Sequence, residues 1–388
     1  MAVKGVFASD QNIPGTEMGS FASAILQLYP TGSSPLLALT AGMRSSDIKS
    51  TVSTWFEKSH LSGYMNVTNN AGTGTTFNLS EENQVVAGTT MLVHSTGEYI
   101  FIDSITANVA TVTRGFADTA IVSINGSVTP VPIQKITNVH SEGSPKPVAI
   151  ANIGSPEFNY MEIVRNSWDA TGTAKAVEYH TGSVVAENQR EAGMFHAEDL
   201  ERAFMWGRRT TGVLDGKPFR TMNGLTNQIR TNVQAQIANT TWDDIDAFLQ
   251  NIFQTNIKGK PNERISFCGN TVLAVLNKIA RLSSVMNIET GITEFGMKVS
   301  NWITPFGDLK LMTHPLMNEN PVWTKDLYVF HPGSIRVEYL RRTFHDRNDK
   351  DGTRAGADAD FGVYTTEATI VYEGEKTGGT YTGIDTAA

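Results

Sequence analysis

Cysteine is almost missing from this chain: among 388 residues only Cys268 carries a thiol, so no intrachain disulfide can form. Toughness must come from packing and association. Charge is thin as well, with Asp, Glu, Lys and Arg together at 18%, below the usual quarter of a soluble chain. Thr, Asn, Ser and Gly fill the shortfall, a mixture common in β-rich chains with many turns. There is no basic excess. A formal charge of -8 opposes a dedicated nucleic-acid binder, whose affinity comes largely from Lys and Arg neutralising phosphate; weak contact with nucleic acid stays open. No run approaches the roughly 18 consecutive apolar residues of a membrane span. The first residues also lack the charged, hydrophobic, small-residue order of a secretion signal. A chain made in a reducing cytoplasm, without membrane attachment, is the expectation.

Catalytic patterns are equally scarce. His60, His94, His140, His180, His196, His314, His331 and His345 include no i,i+4 pair, and no cysteine joins them in a zinc pattern. There is no Gly-x-Ser-x-Gly elbow and no Walker-type loop. Gly72 and Gly74, in the loop composition Asn69–Gly74, lack the following helix of a phosphate cradle. Cys268 ends the apolar run Ile265-Ser-Phe-Cys and reads as a core residue rather than a nucleophile. Glu187, Glu191, Glu198 and Glu201 read as the solvated face of a helix. The one metal-like pattern is Asp346-Arg-Asn-Asp349-Lys-Asp351-Gly352. With Gly352 at the sixth position of a calcium loop, Arg347 falls where the first ligand belongs. Asp349 and Asp351 are left as candidates for weak divalent-ion binding, against a plain acidic loop. No cofactor and no enzymatic activity are expected.

What is present is an order of segments. Residues 1–45 mix Gly, Ser, Pro and Thr with short apolar runs, an arm with little to fold on by itself. Residues 46–180 read as strand and turn. Met91–His94, Glu98–Asp103 and Val109–Arg114 are separated by turn residues and mark a β-rich unit at 85–133. Ser183 to Arg209 is a long amphipathic helix with Ser183 as N-cap, an Glu198–Arg202 pair and Gly193 in its interior. The helical segment, 181–220, runs into the glycine-punctuated block Gly216–Leu225. Residues 221–310 form a compact α/β domain, opened by Thr241 as a helix cap before Ile245, Phe248, Leu249, Ile252 and Phe253. Asn270 caps a second helix. Residues 311–388 supply closing strands. Candidate subunit contacts are Trp55, Phe56 and Glu57, with Arg208, Arg209 and Arg220 around the junction and Arg341 and Arg342 after a strand.

Several of these residues, in this order, resemble the tailed-phage major capsid proteins that carry a β-rich insertion in the extended loop. They are Leu28-Tyr29-Pro30 and Pro35-Leu36-Leu37, then Trp55-Phe56-Glu57, Thr111-Val-Thr-Arg-Gly-Phe116, Gly216–Leu225, Ile229 and Thr231-Asn232. That family is similar in fold to the Hong Kong 97 phage shell protein. The resemblance implies an α+β chain with an N-terminal arm, an extended loop, a peripheral domain on a spine helix (Ser183–Arg209), an axial domain and a small insertion domain. It implies self-association into hexamers and pentamers of an icosahedral shell, assembled in the host cytoplasm and present in the virion. A separate scaffolding protein, a portal and a possible decoration protein would be partners, and packaged DNA would touch only the inner surface. Shell maturation would bend the spine, with Gly193 the hinge candidate. The isopeptide crosslink of the founding fold does not carry over, since its Lys, Asn and Glu find no match. A second reading is a carbohydrate-binding or tail-associated virion protein, with Tyr99, Phe101 and Phe116 as stacking surfaces.

Overall fold

The computed structural model describes residues 35–37, 44–81, 84–179, 182–236, 239–283, 288–294, 297–347 and 358–385. Leu28-Tyr29-Pro30, His180, Asp349 and Asp351 lie outside the described residues. The chain divides into two compact units, Phe56–Glu157 and the combination of Met1–Trp55 with Phe158–Ala388.

Within Phe56–Glu157, six antiparallel strands run in the order Tyr64–Val67, Val131–Asn138, Thr89–Val93, Glu98–Thr106, Val109–Thr113, Thr76–Asn78. A bridge between Val67 and Leu79 brings the last strand back to the first, closing a small barrel. Period-two patterning explains the closure: Ala110 and Val112 point inward while Val109, Thr111 and Thr113 face solvent. Met65, Val67, Phe77, Met91, Ile100, Ile102, Val112 and Ile133 fill the interior. The barrel therefore uses strands on both sides of the expected 85–133. Part of the expected loop tip, Asn70–Gly72, is a short strand paired with Ile124–Asn125.

A buried ion pair organises one end of this barrel. Arg114 Nη2 lies 2.6 Å from Glu98 Oε2, and Arg114 Nε donates to Glu98 Oε1 at 2.7 Å. The same guanidinium donates to the carbonyls of Gly72, Gly74 and Val122. Burial alone would raise the Glu98 carboxyl, but the Arg114 bonds and the N–H groups of Gly115 and Val122 hold it below the usual glutamate range. Arg114 in Thr111–Phe116 thus pins two loops at once.

The larger unit is built on two sheets. In the first, Arg44–Asp47, Ile335–Arg347, Ala359–Tyr372 and Glu162–Thr171 lie side by side in that order. The first pair is parallel and the others antiparallel. The spine helix, Val184–Trp206, packs on this sheet with Ser183 as N-cap. It buries Ala192, His196, Leu200, Phe204 and Met205, and Glu198 pairs with Arg202 at 3.0 Å. Two expectations fail here. Phe195, assigned to the apolar stripe, is 50% exposed, whereas Glu201, assigned to the solvated face, is fully buried. Charged residues are spread around this 23-residue helix, so it has no single clean stripe and periodicity alone could not rank these two faces.

The second sheet has seven strands, in the order Val233–Ala235, Gly379–Thr382, Leu327–Phe330, Glu263–Cys268, Gly307–Thr313, Met297–Thr304, Ile288–Glu294. Its central strands are buried on both faces, so Leu327–Phe330 reads as a continuous apolar run, whereas Glu263–Cys268 carries the buried polar residues Arg264 and Ser266. Ile265, Phe267, Tyr328 and Phe330 join the core of the spine helix. Cys268, Leu309, Leu311, Leu327 and Val329 join that of the helices Trp242–Phe253 and Asn270–Ser283. Thr241 caps the first of these through a capping box with Asp244, and its five expected apolar residues are all buried. Asn270 begins the second helix rather than preceding it. Strands from after residue 310 complete this sheet, so the compact α/β part draws on chain beyond the expected 221–310. The fold is α+β.

Candidate functional site

Among the described residues of the larger unit, the junction after the spine helix carries the most exposed large apolar side chain, that of Val213. Thr210–Leu214 and Lys217–Thr221 form a two-stranded hairpin. Asp215 and Gly216 turn it with positive φ of 49° and 73°, the geometry that matches strand twist in two-residue hairpins. Val213 and Leu214 at its tip are 71% and 66% exposed. A segment expected to continue the helical span to residue 220 is therefore an arm of its own. Its Asp-Gly pair flanked by β-formers is the signal that marks it in the sequence.

Below the hairpin the chain crosses itself. Gly224 N donates to Gly207 O at 2.8 Å, and a Cβ on Gly224 would lie 2.6 Å from Gly207 N. Only glycine allows that approach. A buried amide network then ties the crossing to the long strand Ala359–Tyr372. Asn159 Nδ2 donates to Asn223 O and Ile370 O at 2.9 and 2.8 Å, Asn223 N donates to Asn159 Oδ1, and Gln228 Oε1 accepts from Tyr372 N. Farther on, Thr231 donates through N and Oγ1 to Glu375, and Asn232 Nδ2 reaches the carbonyls of Lys376 and Gly378. The side chains of Gln228 and Asn232 thus bind main-chain carbonyls and anchor the chain that follows the hairpin.

The nominated contact residues separate into two groups. Arg208 is exposed on the strand side of the junction. Arg209 stacks its guanidinium 3.9 Å from the Phe158 ring centroid and donates to the Phe158 carbonyl. Arg220 is half-buried in the hairpin. Arg341 and Arg342 already have carboxylate partners within the chain, Glu367 at 2.8 Å and Asp47 at 2.9 Å. Trp55 is 9% exposed and Phe56 76%, as alternation along Val52–Glu57 requires. Of that trio Phe56 is the one projecting apolar group. Glu57 is half-buried.

The spine meets its sheet through polar as well as apolar groups. His196 Nδ1 lies 2.8 Å from Asn166 Oδ1 and Nε2 lies 2.7 Å from Thr366 Oγ1. Burial holds this imidazole below its ordinary pKa, partly opposed by Asp199. Gly193 faces Tyr364: a Cβ there would sit 3.6 Å from the ring, ordinary contact distance. The helix is continuous through it.

Chemistry is hard to assemble from what remains. The Cys268 thiol is wholly buried and pushed up to about 12 by desolvation. Arg347, the residue that spoils the calcium-loop pattern, pairs with Asp360 at 2.8 Å. Among the described residues no three His, Cys, Asp or Glu side chains converge as metal ligands. In the barrel, Phe101 and Phe116 stack on each other with centroids 5.5 Å apart, so each ring covers part of its neighbour's face.

Comparison with known proteins gives three findings. Residues 7–385 match the family model described as SU10 major capsid protein. The chain is 28% identical over 350 residues to the major capsid protein of Pseudomonas phage PaMx41, covering 87% of this chain and 82% of that protein. Among solved structures, it is similar to one from Mycobacterium phage Bobi (TM-score 0.48, 8% identity, 97% and 98% of the two chains). It is similar also to the capsid of Myoviridae phage XM1 (TM-score 0.48, 9% identity, 98% and 99%).

Proposed function

The chain belongs to the SU10 major capsid protein family, and we propose that its copies join as hexamers and pentamers of a closed icosahedral shell around the double-stranded DNA of a tailed phage. It is a structural protein of the phage head. The observation that carries the assembly reading is the hairpin Thr210–Thr221, whose Val213 and Leu214 stand in solvent. A two-stranded hairpin is marginal by itself, and apolar groups at its tip gain most by insertion against another copy. Phe56 and the run from Val148 (79% exposed) to Ile153 (88% exposed) offer further apolar contacts from the other unit. Arg208 and Arg220 are the arginines of this reading that face neighbouring carboxylates. Arg341, Arg342, Glu57 and Trp55 are secondary, since their side chains already serve the chain's own fold.

In the Hong Kong 97-like arrangement this reading adopts, Val184–Trp206 is the spine of the peripheral domain. The seven-stranded sheet with its two helices forms the axial domain, and the barrel is the insertion of the extended loop. Scaffolding, portal and decoration proteins are the expected partners, with packaged DNA touching the inner surface weakly. Assembly takes place in the host cytoplasm.

The test is sedimentation of the purified chain, alone and with its scaffolding protein, against the double variant Val213→Asp/Leu214→Asp. Wild-type chain should form capsomer- and shell-sized species. The variant should stay small while keeping its melting temperature. Equal assembly by the variant removes the hairpin from the interface, and a wild-type chain that remains monomeric at high concentration and is missing from virions defeats the reading altogether.

A further inference from the structure

Glu201 belongs to none of the surfaces above, yet it is 0% exposed on a helix whose other acidic residues are only half-buried. A buried carboxylate is costly unless its oxygens are fully used. Here they are. Oε1 accepts from Leu36 N at 2.7 Å and Oε2 accepts from Leu37 N at 2.8 Å. Oε1 also accepts from His314 Nε2 at 2.9 Å. Leu36 and His314 are themselves 0% exposed. The Leu36 side chain enters the same apolar cluster as Leu200, Phe204 and Met205 of the spine and Phe267 and Met312 of the seven-stranded sheet. His314, directly after the strand Gly307–Thr313, is walled edge-on by Trp206 and Phe267.

Three parts of the chain therefore converge on one carboxylate: residues 36–37, the spine helix and the sheet that holds Thr313. We propose that Glu201 is a positioning residue that straps the stretch 35–37 to the spine, so that the backbone at Leu36 and Leu37 moves with the helix rather than independently of it. Two consecutive N–H groups ending on the two oxygens of one side chain fix the direction of the chain there as well as its place. His314 adds a third bond to the carboxylate, on the same Oε1 that Leu36 N reaches. The inference rests on intrachain geometry and stands whether or not the hairpin is an assembly contact.

Hydrogen exchange of the full-length chain tests it, comparing wild type with Glu201→Gln. An amide side chain has one accepting oxygen and turns a donor toward donors, so at least one of the three bonds is lost. Exchange at Leu36 and Leu37 should accelerate by roughly ten-fold to a hundred-fold, while the helix Trp242–Phe253 keeps its protection. Glu198→Gln, on the same helix but at the part-exposed Arg202 pair, should leave Leu36 and Leu37 unchanged. If Glu201→Gln does not fold, Glu201→Asp is read in the same way, because its oxygens are withdrawn by one methylene. Unchanged exchange at Leu36 and Leu37 overturns the proposal. So does a loss of protection spread equally into Trp242–Phe253, which would make Glu201 one more core residue.

Discussion

Replacing Gly193 by alanine separates the spine as a stable helix from the spine as a hinge. Glycine inside a helix costs about 1 kcal/mol relative to alanine, mainly through the freedom it retains when unfolded. The added Cβ would meet the Tyr364 ring at 3.6 Å, so no clash offsets that gain and a little contact is added. The variant should be more stable by about 1 kcal/mol, a factor of about 5 in the unfolding equilibrium. Guanidinium denaturation of the unassembled chain reads this directly as a higher midpoint with an unchanged slope. If the spine also bends at residue 193 when shells expand, the gain opposes the bend, and expansion should slow by a similar factor. A destabilised variant refutes the packing argument, because it would mean the site cannot accept a methyl group. A stabilised variant whose shells expand at the wild-type rate keeps the packing and removes the hinge.

Arg114→Met should destabilise the barrel by about 3–5 kcal/mol, since it strands a buried carboxylate. Arg114→Met combined with Glu98→Gln should recover much of that loss in urea denaturation, and a single variant within about 1 kcal/mol of wild type would refute the pair's role. The Glu98 carboxyl is held below its ordinary 4.5 in the folded state. Its contribution is therefore full above that value and fades as pH falls through the lower folded one; a barrel equally stable from neutral pH down into that range contradicts the shift. Thr241→Ala removes the capping box and should cost about 1 kcal/mol, read as a lower melting temperature, with a loss under about 0.3 kcal/mol arguing against the cap. Cys268, with its thiol pushed up to about 12, should resist alkylation near pH 8 in the native chain and react on unfolding; rapid native labelling would place it at a surface.

Local chemistry was readable in advance where one short stretch decides the outcome. Thr241 with Asp244 and the five apolar residues behind them specify a capped amphipathic helix without outside help, and that helix is where it was expected. Ser183 likewise marks the start of the spine, and alternation along Val109–Thr113 marks a strand with one wet face. The order of such elements was enough to suggest the family. One misreading was local, the hairpin Thr210–Thr221 with its Asp215-Gly216 turn; that of Glu201 came from distant chain. The carboxylates that Arg341 and Arg342 meet, Glu367 and Asp47, were likewise not legible from their own stretch of sequence.

By itself, the sequence determined the start of the spine at Ser183, the capped helix behind Thr241, and the lack of disulfide and of a catalytic motif. These follow from backbone preferences and side-chain period, which act over a few residues. Only the tertiary structure decided that Val67 meets Leu79 to close a barrel, that strands beyond residue 310 finish the seven-stranded sheet, and that Glu201 lies inside rather than outside the spine. Burial of a carboxylate depends on which donors surround it. For Glu201 those donors are Leu36, Leu37 and His314, more than a hundred residues away along the chain.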